Sequence, residues 1–239
     1  MNPIQSIKAQ LLREYPFTIE LHAHTNPVSS CSDLPPAEMV LLCKQAGAQG
    51  VVVTNHTRIG DKEKYTREEW AEHQLKDFRE ALEAGNQLGI RVYLGMEIRF
   101  PENRNEYLVF GIDEDFVYRV YDYLDKDLHT FYRDFHCPEL LIIQAHPYRD
   151  GLVEVDAGDL DGYEVFNLHP SHNSRVSVAA AHYAKHGGVI TGGTDFHHRG
   201  HEGQLLTCFR QMPEDNAALV QMLRSGDYIF RTGNNVLLP

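Results

Sequence analysis

Short apolar runs of strand length alternate with helix-like stretches along almost all of this 239-residue chain, and no other feature limits its fold as much. Strands are expected over 17–24 (FTIELHAH), 50–56 (GVVVTNH), 91–98, 105–112, 140–147, 162–167 and 188–197, with one more candidate at 203–209. Helices are expected over 35–47, 67–88, 114–135, 174–187 and 214–225. Proline opens the first of them, and Gly47, Gly89 and Gly187 stand where three of them should stop. Strands alternating with helices predict an α/β fold with a mostly parallel sheet. About seven such units in this length fit a barrel better than an open sheet. The expected organisation is a single domain over 1–239, with 1–16 as an N-terminal helical extension.

Chemistry-bearing residues gather where the strands stop. The first expected strand ends in His22-x-His24, the second in Asn55-His56, the third in Glu97, the fifth in His146-Pro147 and the seventh in Asp195-x-His197. A single His-x-His decides nothing, because about one is expected by chance in a chain with 14 histidines. Five strand ends are another matter. The C-terminal ends of barrel strands share one mouth. Residues i and i+2 of a strand face the same way, so His22 and His24 can meet one ion, as can Asp195 and His197. A carboxylate such as Glu97 can bridge two ions, which imidazole cannot. Mixed imidazole and carboxylate donors suit zinc, manganese or iron better than calcium or magnesium.

The ordered set His22-x-His24, Thr54-Asn55-His56, Gly95-x-Glu97, His146-Pro147 and Asp195-x-His197 resembles the PHP (polymerase and histidinol phosphatase) family of metal-dependent phosphoesterases. The motifs cover most of the chain. The resemblance implies a distorted (β/α)7 TIM-like barrel holding two or three divalent ions. It implies that His22, His24, Glu97 and Asp195 serve the first ion, that Glu97 bridges to a second held also by His146, and that His56 and His197 hold a third. Two positions depart from the family pattern. Asn55 stands where the family usually has aspartate, which alters the hydrogen bonding around His56. In the loop after His24 the third-ion ligand falls among Ser30, Cys31 and Asp33, with Cys31 favoured; its thiolate would favour zinc or iron. Glu106 is a further candidate for the second ion.

Arg149, Arg175 and Arg199 lie near expected strand ends, and guanidinium groups bind phosphate oxygens as a fork. His169 and His172 are candidates for substrate contact. His198 is the catalytic candidate for assisting the leaving group, with His201 as its alternate. His73, His129, His136, His182 and His186 sit on helices or helix ends and are read as ordinary surface histidines. The expected activity is hydrolysis of a small phosphorylated substrate by a metal-bound hydroxide, phosphomonoester before diester, with Glu97 and Asp195 as catalytic groups. An amidohydrolase-like metal hydrolase and a non-catalytic metal-binding regulatory module are the alternatives.

Charge narrows the partners. A net charge of −12 repels phosphate backbones, so no long nucleic acid is expected. The four cysteines are scattered and form no Cys-x-x-Cys pair, which fits a reducing cytoplasm rather than a disulfide framework. No apolar leader or membrane-length run is present, so no membrane partner is expected.

Overall fold

The computed structural model describes residues 2–239. In chain order the elements are α1 (Pro3–Glu14), β1 (Phe17–Ala23), α2 (Pro36–Gln45), β2 (Gly50–Val53), β3 (His56–Arg58), α3 (Arg67–Leu88), β4 (Arg91–Arg99), β5 (Tyr107–Phe110), α4 (Glu114–Val120), α5 (Leu128–Phe135), β6 (Leu141–Gln144), β7 (Gly162–Asn167), α6 (Val176–His186), β8 (Val189–Gly193), β9 (Leu206–Phe209), α7 (Asn216–Ser225), β10 (Tyr228–Thr232) and β11 (Asn235–Leu237). Local chemistry sets several of these bounds. Thr66 and Glu69 close a reciprocal capping box at the start of α3, and Gly89 ends that helix at φ 68°, where a Cβ would be strained. The helix expected over 114–135 is two. Asp127 accepts from Thr130 N and starts α5 afresh, because a side-chain cap competes with continuing the helix.

The strands form one curled sheet in the order β11-β10-β9-β1-β2-β4-β5-β6-β7-β8, with β3 on the far end of β4. It is a half-barrel of the α/β class. The expected mostly parallel sheet is only half right: five pairings are parallel and five antiparallel. The regular β/α alternation fails at β5. The chain runs from β4 to β5 through a short loop with no helix, so β5 must lie antiparallel to both neighbours. After β8 the chain adds β9, β10 and β11 as an antiparallel flank beside β1.

The curl brings β8 back to β1. Ala23 bridges Phe196; His24 N donates to Phe196 O and Phe196 N to His22 O, each at 2.9 Å. Along β1 the buried side chains alternate in character: Thr18, Glu20 and His22 on one face, Ile19, Leu21 and Ala23 on the other. The apolar face joins a continuous core that includes Trp70, Phe100, Phe110 and Phe131. The polar face looks into the half-barrel. No helix among the described residues is long and apolar enough to cross a membrane.

Candidate metal centre

Glu97, on β4, lies at the middle of the polar interior and is fully buried. Its Oε1 faces His146 Nε2 at 3.1 Å and His22 Nε2 at 3.4 Å. Its Oε2 faces His56 Nδ1 at 2.7 Å and His24 Nε2 at 3.6 Å. Asp195 Oδ1 closes the far side, 3.2 Å from His24 Nε2 and 3.4 Å from His22 Nε2. Four overlapping sets of three donors result, each with its ligand atoms within 4.8 Å of one another: His24, His56 and His197; His22, His24 and Asp195; His22, Glu97 and His146; His56, Glu97 and Glu106. So the strand-end residues do converge.

The surroundings fix which atom of each imidazole faces inward. His22 Nδ1 donates to Glu164 Oε1 at 2.8 Å. His24 Nδ1 donates to Ser29 Oγ at 3.3 Å, because the Ser29 hydroxyl gives its own proton to Asn55 Oδ1. His197 Nδ1 donates to the Asp195 carbonyl at 2.9 Å. In each ring the proton is held outward and a lone pair is turned in, the tautomer that metal ligation needs. His22 Nε2 and His24 Nε2 are buried with no hydrogen-bond partner, while His56 Nδ1 and Glu97 Oε2 have only each other, at 2.7 Å. Buried polar atoms without partners are costly, so the two orphaned imidazole nitrogens need a partner. A cluster of divalent cations supplies one, and the donor set fits it.

Electrostatics agree. Burial opposes ionisation of Glu97, yet the His22 and His56 imidazoles outweigh it and hold the carboxyl well below its usual range. Asp195 is likewise held down, chiefly by His22 against its burial. Burial lowers the His22 pKa, but Glu164, Asp195 and Glu97 more than reverse this and raise it well above its ordinary value. His56 is carried up to about 10 against its burial, mainly by Glu97. His24, facing His197 and His56, stays neutral, its pKa pushed well down by burial and those two rings. Without ions, protonated His22 and His56 would balance the buried carboxylates; bound cations would take over that charge and free the imidazole lone pairs.

Two ligand positions are strained. His146 has φ 31° and Asp195 has φ 57°, left-handed values that non-glycine residues seldom adopt. Each costs on the order of 1 kcal/mol or more and is kept only where surrounding contacts impose it. Glu164 imposes the first: its Oε2 accepts from His146 N at 3.0 Å and from Asn167 Nδ2 at 2.9 Å. Arg149 holds Asp195 from the side, its Nη2 donating to Asp195 Oδ2 at 2.7 Å and to Asn167 Oδ1 at 2.9 Å.

His56, His146, Arg149, Asp195 and His197 line a cavity of about 270 Å³ together with His169, His172 and His198, while His22, His24, Glu97 and Glu164 do not line it. Arg149 reaches it. Arg175 and Arg199, expected to contact substrate, do not. Arg175 is tied to the Tyr148 carbonyl and Asp150, and Arg199 forks onto Glu38 at 2.5 and 2.6 Å on the surface. The five histidines read as ordinary do not line the cavity. Cys31 stands at its rim, beside the donor sets rather than inside them. Burial raises its thiol pKa, but hydrogen bonds from His197 and His56 outweigh this and bring it down to about 6. Ser30 and Asp33 are exposed. His198 is half-exposed, its Nδ1 3.5 Å from Asp33 Oδ1. His201 touches His169 ring to edge, behind that wall.

Sequence reasoning missed four residues. Glu164 is the one charged residue in the run GYEVFN, and a lone carboxylate inside a doubly covered strand was the available signal. Ser29 gave none. Arg58 and Arg99 line the cavity and stand two residues beyond His56 and Glu97, on the same strand faces.

The PHP domain model matches residues 20–227, most of the chain. The chain belongs to the PHP family. PHP proteins are metal-dependent, in keeping with the donor sets described above. No curated protein matches the sequence. Among solved structures, PsfC from Pseudomonas syringae PB-5123 is similar at a TM-score of 0.59 and 15% identity, over 90% of this chain and 91% of that one. A two-domain protein from Bacteroides vulgatus ATCC 8482, named as containing a predicted PHP-like metal-dependent phosphoesterase, is similar at a TM-score of 0.57 and 14% identity, over 90% of this chain and 64% of that one. At such identities the likeness is one of fold.

Proposed function

We propose that this PHP chain is a metal-dependent hydrolase of phosphoric esters, acting on a small phosphorylated substrate, with monoesters preferred to diesters. The observation that carries the reading is the Glu97 carboxylate, with one oxygen turned to His22 and His146 and the other to His24 and His56. It supports a cluster of two or three divalent ions (zinc, manganese or iron), held by His22, His24, His56, Glu97, His146, Asp195 and His197, with Cys31 as a rim ligand. Bound there, such ions supply positive charge to phosphoryl oxygens and lower the pKa of water toward about 7.

The protein's own groups do the rest. Glu164 and Arg149 hold His22 and Asp195 in place, so no rearrangement is needed when charge develops on phosphorus. Arg149 also lines the cavity, which supports a second role in gripping a phosphoryl oxygen. His198, half-exposed at the rim, is placed to pass a proton to the departing alkoxide. His169 keeps Nδ1 as an acceptor for Ser171 N, and burial presses its pKa down to about 3, so it meets substrate as a neutral ring. A cavity of about 270 Å³ accommodates a small molecule rather than a polymer. Among the described residues no lysine lines it, which favours this reading over an amidohydrolase that bridges ions through a carbamylated lysine.

The test is phosphate release from p-nitrophenyl phosphate, with bis(p-nitrophenyl) phosphate and an amide panel as competitors, by protein loaded with zinc, manganese or iron. Monoester turnover that disappears in His22→Ala is expected. Amide hydrolysis without phosphate release would overturn the reading, as would an inert protein with every metal.

A further inference from the structure

Arg58 and Arg99 are direct cross-strand partners in the β3–β4 pairing, and both line the cavity. Their electrostatics are unbalanced. Arg99 Nη2 donates to Glu106 Oε1 at 2.5 Å. The nearest carboxylate oxygen to Arg58 is that same Oε1, 4.0 Å away. One carboxylate thus faces two guanidiniums, while its other oxygen is turned toward His146 Nε2 at 3.7 Å. Arg99 Nε is buried with no partner. In a chain of net charge −12, this wall of the cavity keeps an excess positive charge and unused donors. Arg149 differs: its Nη2 is already shared between Asp195 and Asn167.

Position says what the excess is for. Two residues along a strand advance the backbone by roughly 7 Å. The Arg58 and Arg99 backbones therefore stand one step beyond His56 and Glu97, and their guanidiniums meet at Glu106, on that side of a phosphorus seated over Glu97. They face whatever is attached to it.

We infer that Arg58 and Arg99 form a second oxyanion subsite, and that the substrate is a phosphoric ester whose alcohol portion carries a further carboxylate or phosphate. This rests on the phosphoesterase reading. It adds the substrate class: phosphoric esters with a second anionic group rather than simple esters. A guanidinium fork matches either oxyanion, and the two guanidiniums share a single carboxylate, Glu106.

Phenyl phosphate, 4-carboxyphenyl phosphate and 1,4-phenylene bisphosphate test it on the metal-loaded protein. The wild type is expected to show a kcat/KM about 10-fold or more higher for the charged esters than for phenyl phosphate, as charge-assisted contacts allow. The larger of the two gains tells carboxylate from phosphate. Arg58→Ala should collapse that ratio toward one, and Arg58→Lys should restore part of it. A structural or general electrostatic role would lower all three esters together and leave the ratio standing. A wild-type ratio of one, or a ratio untouched by Arg58→Ala, overturns the subsite. Should no ester be hydrolysed, the phosphoesterase reading fails by itself, and the same compounds are titrated calorimetrically as ligands. Tighter binding of the charged pair, lost in Arg58→Ala, still supports the subsite; equal binding of all three overturns it.

Discussion

The two walls of the cavity are built on opposite terms. One wall, lined by Asp195 just after β8, is backed by His22 and His24 at the end of β1 and Glu164 on β7, all buried, each with a second atom held by a named partner. The wall of β3, β4 and β5 carries Arg58, Arg99 and Glu106 nearer to solvent, where three charged groups share too few contacts. A position that must present one lone pair in one direction needs a fixed neighbour. A position that must meet an arriving anion needs free donors. The first wall spends its polar atoms on order; the second keeps them available.

The hardest way to break the first wall is at its junction with the second. Glu97→Gln keeps the volume but removes the charge that both halves of the donor set face. Metal content is expected to fall below one ion per chain and phosphatase activity by on the order of 1000-fold or more, with far-ultraviolet circular dichroism unchanged. Metal analysis showing a full complement in the variant would remove Glu97 as the bridge. Glu164→Ala should cost less, about 10- to 100-fold in metal affinity, as loss of an outer partner of a ligating histidine does. Glu164→Gln can still accept from the His22 ring and should recover part of it.

The same contrast explains what could be read from the sequence. The strand ends were legible because ligation needs particular residue types, and strand periodicity turns i, i+2 pairs such as His22 and His24 to one side. The α/β class was legible from the alternation; the half-barrel in place of a regular (β/α)7 count was not, because the loop from β4 to β5 lacks a helix and reverses the strand. Arg175 and Arg199 show the limit. Arg199 stands about as near to a strand end in sequence as Arg149 does, and Arg175 only a few residues farther, yet Glu38 and Asp150 capture them on the surface. Nothing local distinguishes a guanidinium that turns inward from one that finds a carboxylate first. The Asn55 departure was legible as a change but not in its consequence: Asn55 Nδ2 donates to Thr25 Oγ1, which in turn donates to the buried Asp77. That relay holds the loop from Thr25 to Ser29, and with it the partner of His24.

Glu20 sharpens the comparison from below the ions. Its Oε1 accepts from His22 N at 3.1 Å and Thr194 N at 2.9 Å, clasping β1 to the end of β8, while Oε2 is buried without a partner. Burial raises its pKa to about 7, despite opposing hydrogen bonds from Thr194. The folded state therefore holds the proton longer than the unfolded chain, whose carboxyl titrates near 4.3. Stability from this group is complete below that value, falls as pH rises toward about 7, and changes no further above it. Glu20→Gln keeps an acceptor and abolishes the titration. Between pH 5 and pH 7.5 the wild type should lose on the order of 1–3 kcal/mol relative to this variant in urea unfolding. Parallel curves would show that the wall does not depend on a protonated carboxyl there.

Arg199→Ala should do the least. The side chain is more than half exposed and its fork is occupied by Glu38, with Asp33 3.8 Å away. Exposed pairs of this kind contribute roughly 0.2–1 kcal/mol, so the midpoint of unfolding should barely move. Turnover should stay within about 2-fold of wild type, because no phosphoryl group in the cavity reaches a guanidinium held outside it. A loss of 10-fold or more, with KM rising and kcat kept, would mean that Arg199 leaves Glu38 when substrate binds. The open wall would then extend across the loop after β8, and the division between a fixed side and an available side would have to be redrawn with Arg199 on the available one.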